Sequence, residues 1–258
     1  MKYLGGKQRI GKHIAPVLHE VWDMYPELNG YLEPFCGSLG VFKQMTDLTR
    51  ARTIVANDYH PDLIAMWKSV QDGSFEYPEM ITEEEYHAAK KLPSPNAYKA
   101  FVGFGMSFGG RYFGAYSHKY LGNKKEDFCK EMTNSLGRIA PLISRKKISF
   151  TNRDYKKMRP KNKLIYCDPP YSVTKYPIKY RRDVKHYDTF DNDEFWQIMR
   201  DWSKDNIVII SETTAPSDFK EIWSMKRYRS AAQSPKTRFL NKTETNDDEK
   251  LFIFNQQL

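Results

Sequence analysis

A chain of 258 residues with 40% hydrophobic residues can build one large domain, or one domain carrying a sizeable insertion. No apolar run approaches the roughly 18 residues of a transmembrane helix, and the N-terminus, Met1-Lys2-Tyr3-Leu4-Gly5-Gly6-Lys7, lacks a signal-peptide apolar region. A net charge of +9, from 41 Lys+Arg against 32 Asp+Glu, favours a polyanionic partner, and 14% aromatic residues add rings on which bases can stack.

The first predicted element is a helix over 8–22, striped by Ile10, Ile14, Val17, Leu18 and Val21 and kinked at Pro16. A strand over 30–35 runs into the turn Cys36-Gly37-Ser38-Leu39-Gly40 and a short helix. Thr53 to Asn57 is a second strand, closed by Asp58, and Pro61 opens a helix carrying Leu63, Ile64, Trp67 and Val70. Strand alternating with helix predicts an α/β parallel sheet. The alternation breaks over 72–145. There Thr82 and Glu85 have capping-box spacing, Leu92 to Asn96 is a loop, and Phe101 to Tyr116 is rich in glycine and aromatics, with a hairpin expected over 104–116. A helix around Phe128, Met132, Leu136 and Ile139 follows. Strands resume at 147–151, 163–167 and 206–211, a helix starts at Asp191 with Glu194 three residues on, and a last strand covers 251–254. The expected domains are therefore a core of 1–71 and 146–258 and an insertion of 72–145.

Cys36, Cys129 and Cys167 form no CxxC pair, so neither a disulfide framework nor a zinc cluster is expected, and the cytoplasm is the simplest setting. The most informative residues are Asp168-Pro169-Pro170-Tyr171, after the apolar strand Leu164 to Cys167. Two prolines must end a strand, since neither donates a ladder hydrogen bond. A carboxylate, a stiff carbonyl and a ring on one rigid turn suit the grip of an exocyclic amino group on a flat base; the alternative is a purely structural strand end. The glycine turn after the first strand lets a ligand approach the backbone at a helix N-terminus. About 20 residues on, Asp58 stands where an acid accepts from the two ribose hydroxyls of a nucleoside, or simply caps the Pro61 helix. Neither a GxGxxG dinucleotide turn nor a P-loop is present.

With these residues in this order, the chain resembles the Dam-type (D12 class) N6-adenine DNA methyltransferases, which use S-adenosylmethionine. The resemblance rests on Tyr3 to Lys7, on Glu33-Pro34-Phe35-Cys36-Gly37-Ser38-Leu39-Gly40-Val41-Phe42, on Asn57-Asp58, on Asp168 to Tyr171 and on Glu249 to Asn255, and is weakest over 72–145. It implies a Rossmann-like class I methyltransferase sheet with an inserted, mainly helical target-recognition region carrying a hairpin. It implies that Tyr3 and Lys7 contact the cofactor, that Pro34, Phe35, Cys36, Gly37 and Ser38 line its pocket, and that Asp58 holds its ribose. Asp154, with Tyr155 nearby, would take the cofactor adenine, though an acid after a strand is also an ordinary cap. Tyr3 stands where Trp is common and His60 where Asn is common.

Asp168 and the Pro169 carbonyl would accept the two N–H bonds of the target amino group, freeing its lone pair, while Tyr171 stacks on a flipped base and no metal is required. Target recognition would lie in the insertion, with Arg111 and Tyr112 as DNA contacts, although a surface charge is an equal reading of Arg111. Lys175, Lys179, Arg181, Arg182 and Lys185, interleaved with tyrosines, would hold the backbone of duplex DNA or form a solvated loop. A monomer or weak dimer is expected. Cytosine-N4 methylation, an RNA substrate and a catalytically inactive DNA-binding module are the alternatives.

Overall fold

The computed structural model describes residues 1–45, 48, 51–117, 120–121, 124–125, 127–144, 148–170, 190–226 and 248–257. Seven strands form one mixed sheet: β1 (Gly30–Glu33), β2 (Thr53–Asn57), β5 (Ile148–Thr151), β6 (Lys163–Cys167), β7 (Ile207–Glu212), β8 (Phe219–Met225) and β9 (Glu249–Phe254). They lie in the order β5-β2-β1-β6-β7-β9-β8. The first five are mutually parallel, and β9 runs antiparallel to both β7 and β8. The expected parallel sheet thus gains an antiparallel end. Its edge strand β8 is absent from the sequence reading because only Phe219 of its seven residues is buried, which leaves no periodic apolar signal.

Both faces of the sheet are covered, and the strands show it residue by residue. Leu164 and Tyr166 of β6 join one apolar cluster while Ile165 and Cys167 join the other; Ile207 and Ile209 alternate with Val208 and Ile210 in the same way. A strand buried on both sides reads as a continuous apolar run, which is why β6 and β7 were legible. The first face carries α1 (Gly11–Asp23) and α2 (Pro61–Asp72), and the second carries α6 (Asn192–Trp202).

The insertion contributes α3 (Glu83–Lys90), α4 (Ala97–Gly105) and α5 (Phe128–Ser144), plus a two-stranded hairpin of β3 (Tyr120–Leu121) and β4 (Lys124–Lys125). Its Tyr86, Phe101, Phe113, Met132 and Leu136 share one buried cluster with Ile14, Leu18 and Trp67 of α1 and α2. The anchor is Asp62, in the first turn of α2 and 2% exposed. It accepts from the Ser94 hydroxyl at 2.8 Å, the Asn96 N–H at 2.7 Å and the Tyr112 hydroxyl at 2.6 Å. The Thr82/Glu85 capping box forms as expected. The hairpin expected over 104–116 does not: α4 continues through Gly105, a short 3₁₀ turn covers Phe108–Gly110, and a bridge joins Ser107 to Tyr116. The hairpin lies later, where two-residue strands, Tyr120–Leu121 and Lys124–Lys125, are too short to show a sheet alternation. Among the described residues no helix is long and apolar enough to cross a membrane.

Candidate active site

In an open α/β sheet, ligands sit beyond the carboxyl ends of the strands, where the strand order reverses. Here that point lies between β1 and β6. The segments leaving β1, β2, β5 and β6 bring Pro34 to Ser38, Asp58, Asp154 and Asp168 to this one edge of the sheet.

The residues expected on the cofactor side are built on backbone hydrogen bonds. Gly37 adopts φ +46°, and a Cβ added there would meet the Tyr3 ring at 3.1 Å, so both its conformation and its space require glycine. Its carbonyl accepts from the Trp67 indole at 2.9 Å, and its N–H donates to Asp58 Oδ2 at 2.9 Å. Asp58 Oδ1 accepts the His60 N–H at 2.9 Å. Burial pushes the half-buried Asp58 carboxyl up to about 6, against the backbone donors that hold it down. The helix cap weighed for Asp58 is supplied by His60 instead, whose Nδ1 accepts the Leu63 N–H at 3.3 Å. With the Gly37, His60 and Tyr59 N–H groups as backbone donors, the carboxylate still keeps acceptor capacity, which suits a ribose hydroxyl.

Sequence reasoning named Asn57 only as the strand end before Asp58 and gave it no role of its own. It is 1% exposed and uses its whole amide: Nδ2 donates to the Pro34 carbonyl at 3.0 Å and to the Arg153 carbonyl at 2.9 Å. Its Oδ1 accepts from the Thr151 hydroxyl at 2.7 Å and the Arg153 N–H at 3.0 Å. One side chain thus fixes the exits of three strands. An amide closing an apolar strand was the available signal, since a buried amide must find four partners.

Phe35 lies 5.0 Å from the Tyr155 ring and 6.0 Å from Phe195, centroid to centroid. The buried Tyr155 hydroxyl has no hydrogen-bond partner among the described residues, and burial raises its pKa. An apolar ring wall with an orphaned polar atom fits a planar base with a polar edge. Asp154 caps the short turn that follows, accepting the Lys156 N–H at 3.0 Å, so its cap role is realised. An open cleft of about 480 Å³ borders these residues, lined by Tyr59, Asn152, Arg153, Asp154 and Lys157.

The β6 side is built on charge. Asp168 is 19% exposed, and its Oδ1 takes the Lys7 ammonium at 2.6 Å. Lys7, only 4% exposed, also lies 3.4 Å from Glu249 Oε1. Beneath them Glu33 accepts the Tyr31 hydroxyl at 2.7 Å; burial pushes Glu33 up to about 8 despite that bond, and nearby Asp168 adds to the rise. Glu33 is therefore mostly protonated at neutral pH, which spares the site another buried charge.

The N-terminal segment reaches across both halves. Gln8 Nε2 donates to the Ser38 carbonyl at 2.8 Å and the Ser38 hydroxyl at 3.0 Å, and the Tyr3 ring packs 5.1 Å from Phe104 of the insertion. The Leu4 N–H donates to the Gly110 carbonyl at 3.3 Å, so the turn carrying Arg111 rests against the N-terminal segment. Tyr112 is turned inward, bound to Asp62 and packed 4.3 Å from His60.

Residues 3–103 match the family model of the D12 class N6 adenine-specific DNA methyltransferases. Over that span the chain is similar to this family. The matched span includes Tyr3, Lys7, Glu33 to Gly40, Asp58 and the start of the insertion, and ends before the Asp168 turn. No curated protein matches the chain. The strand order with its antiparallel end is consistent with a class I methyltransferase. Tyr171, Lys175, Lys179, Arg181, Arg182 and Lys185 lie outside the described residues.

Proposed function

We propose that the chain transfers a methyl group from S-adenosylmethionine to N6 of adenine in duplex DNA, within the cytoplasm. The observation that carries this reading is the Asp168–Lys7 pair at the end of β6, across the sheet's reversal point from the Phe35 wall and Asp58. Asp58 would hold the donor's ribose and Phe35 and Tyr155 its adenine, with the Cys36 to Ser38 backbone lining the pocket and Tyr3 closing it. The bound donor supplies an activated methyl on a sulfonium. Asp168 and the Pro169 carbonyl would accept the N–H bonds of the target amino group, so that its lone pair leaves conjugation with the ring and becomes nucleophilic. Both acceptors are held before the base arrives, Asp168 by Lys7 and Pro169 by its ring, so little reorganisation is left for the reacting complex.

A paired base cannot reach such a turn, so the target adenine is flipped out of the duplex, at a cost of roughly a few kcal/mol. Tyr171, next in the chain, would stack on it. The insertion would select the DNA site, with Arg111 as a contact, while the lysines and arginines of 175–185 would neutralise phosphates. Tyr112 supports α2 through Asp62, which favours a bracing role over a DNA contact.

The deciding experiment incubates the purified protein with duplex DNA and tritiated-methyl S-adenosylmethionine, then digests the DNA to nucleosides. Label is expected in N6-methyldeoxyadenosine. Label in N4-methyldeoxycytidine, or none in DNA, overturns the reading.

A further inference from the structure

Glu249 begins β9, three places along the sheet from the cofactor-side strands, and is 0% exposed. Its Oε1 takes a short hydrogen bond from the Ser211 hydroxyl of β7 and lies 3.4 Å from Lys7 Nζ. Lys7 in turn reaches Asp168 at 2.6 Å. One buried ammonium therefore bridges two carboxylates, one open to the site and one sealed behind it. Neither the donor nor the DNA needs to touch Glu249.

A chemical reason for the second carboxylate comes from the charge balance of the transfer. The nitrogen lone pair forms the new N–C bond, the donor's C–S bond breaks with its electrons on sulfur, and nitrogen loses one proton. If Asp168 takes that proton its charge disappears, and Lys7 would be left as an uncompensated buried cation, which is strongly unfavourable. Glu249 remains as the counter-charge. Before the transfer it holds the ammonium at the right place; afterwards it keeps that ammonium paired.

We propose that Glu249 is a positioning residue for methyl transfer, acting on Asp168 through Lys7. This rests on the activity proposed above. The test compares wild type, Glu249→Gln, Lys7→Met and the double variant, reading single-turnover transfer, DNA KM, cofactor affinity by calorimetry and thermal unfolding. Glu249→Gln keeps the side chain's size and an acceptor for Ser211. It is expected to fold and to bind cofactor within about threefold of wild type, with unchanged DNA KM, while the transfer rate falls about tenfold or more. In the Lys7→Met background the same change should add nothing further, because the route runs through that ammonium. Wild-type transfer by Glu249→Gln, or full additivity with Lys7→Met, overturns the proposal. Should Glu249→Gln fail to fold, Glu249→Asp keeps the charge but draws it back from Lys7; a slower rate with unchanged cofactor affinity supports the proposal and a wild-type rate overturns it. A wild type that methylates no DNA overturns the parent activity and this proposal together, whereas an active wild type with an equally active Glu249→Gln overturns this proposal alone.

Discussion

The two halves of the site hold their acids by different means. Asp58 is held by backbone N–H groups of Gly37 and His60, and burial pushes it up to about 6. Asp168 is held by a buried ammonium 2.6 Å away, which is itself shared with Glu249. Backbone donors fix geometry without adding a full charge, which suits an acid that only accepts hydrogen bonds from a neutral sugar. A paired cation suits an acid that must bear or lose charge during a reaction. The difference teaches that the cofactor half should respond to changes in loop geometry and in its own protonation, and the β6 half to changes in charge.

The sharpest way to separate them is Asp168→Ala. Lys7 keeps Glu249 at 3.4 Å, so the fold should survive. Methyl transfer is expected to fall about 10²–10⁴-fold, the usual worth of a positioned proton acceptor, while calorimetry still detects cofactor binding. Full turnover by this variant would remove Asp168 from the reaction. Next comes Asn57→Ala, which breaks four hydrogen bonds at once and leaves the Pro34 and Arg153 carbonyls short of donors. A loss of roughly 2–4 kcal/mol in urea unfolding is expected, accompanied by weaker cofactor binding. If stability stays within about 0.5 kcal/mol of wild type, the three strand exits hold without it.

What the sequence disclosed follows the same division. Strands buried on both faces, such as β6 and β7, announce themselves as apolar runs, and the Thr82 and Asp191 caps follow local chemistry that needs no tertiary knowledge. Asp58 and Asp168 were legible because each closes such a strand. Glu249 was not: an acid next to a lysine at the start of a strand looks like surface, and only the fold brings it against Lys7. Asp62 reads as an ordinary first-turn acid, yet it is buried under Ser94, Asn96 and Tyr112, contacts made across more than 30 residues of chain. His60 caps α2 through a ring nitrogen rather than through a side-chain oxygen of the usual capping residues, which hid the cap and left Asp58 looking like the capping acid. Glu249 and Asp62 are polar residues whose partners are distant in sequence, where pattern carries no information, whereas His60 is a local cap made by an unusual capping residue.

The smallest expected effect tests the cofactor half alone. Because burial raises Asp58 to about 6, its protonated form is the one the empty fold accommodates better. Its contribution to stability is thus present below the ordinary aspartate range and lost as pH rises through about 6. Ribose binding has the opposite demand, since the carboxylate must accept. Between pH 7 and pH 5 the ionised fraction falls about tenfold, and cofactor affinity measured by calorimetry should fall by about the same factor. Glu33, raised to about 8, titrates above this window and leaves it clean. Asp58→Asn should bind weakly at both pH values and flatten the dependence. A wild type with equal affinity at pH 5 and pH 7 would mean that Asp58 does not hold the ribose in its ionised form, and the contrast with Asp168 would then rest on geometry alone.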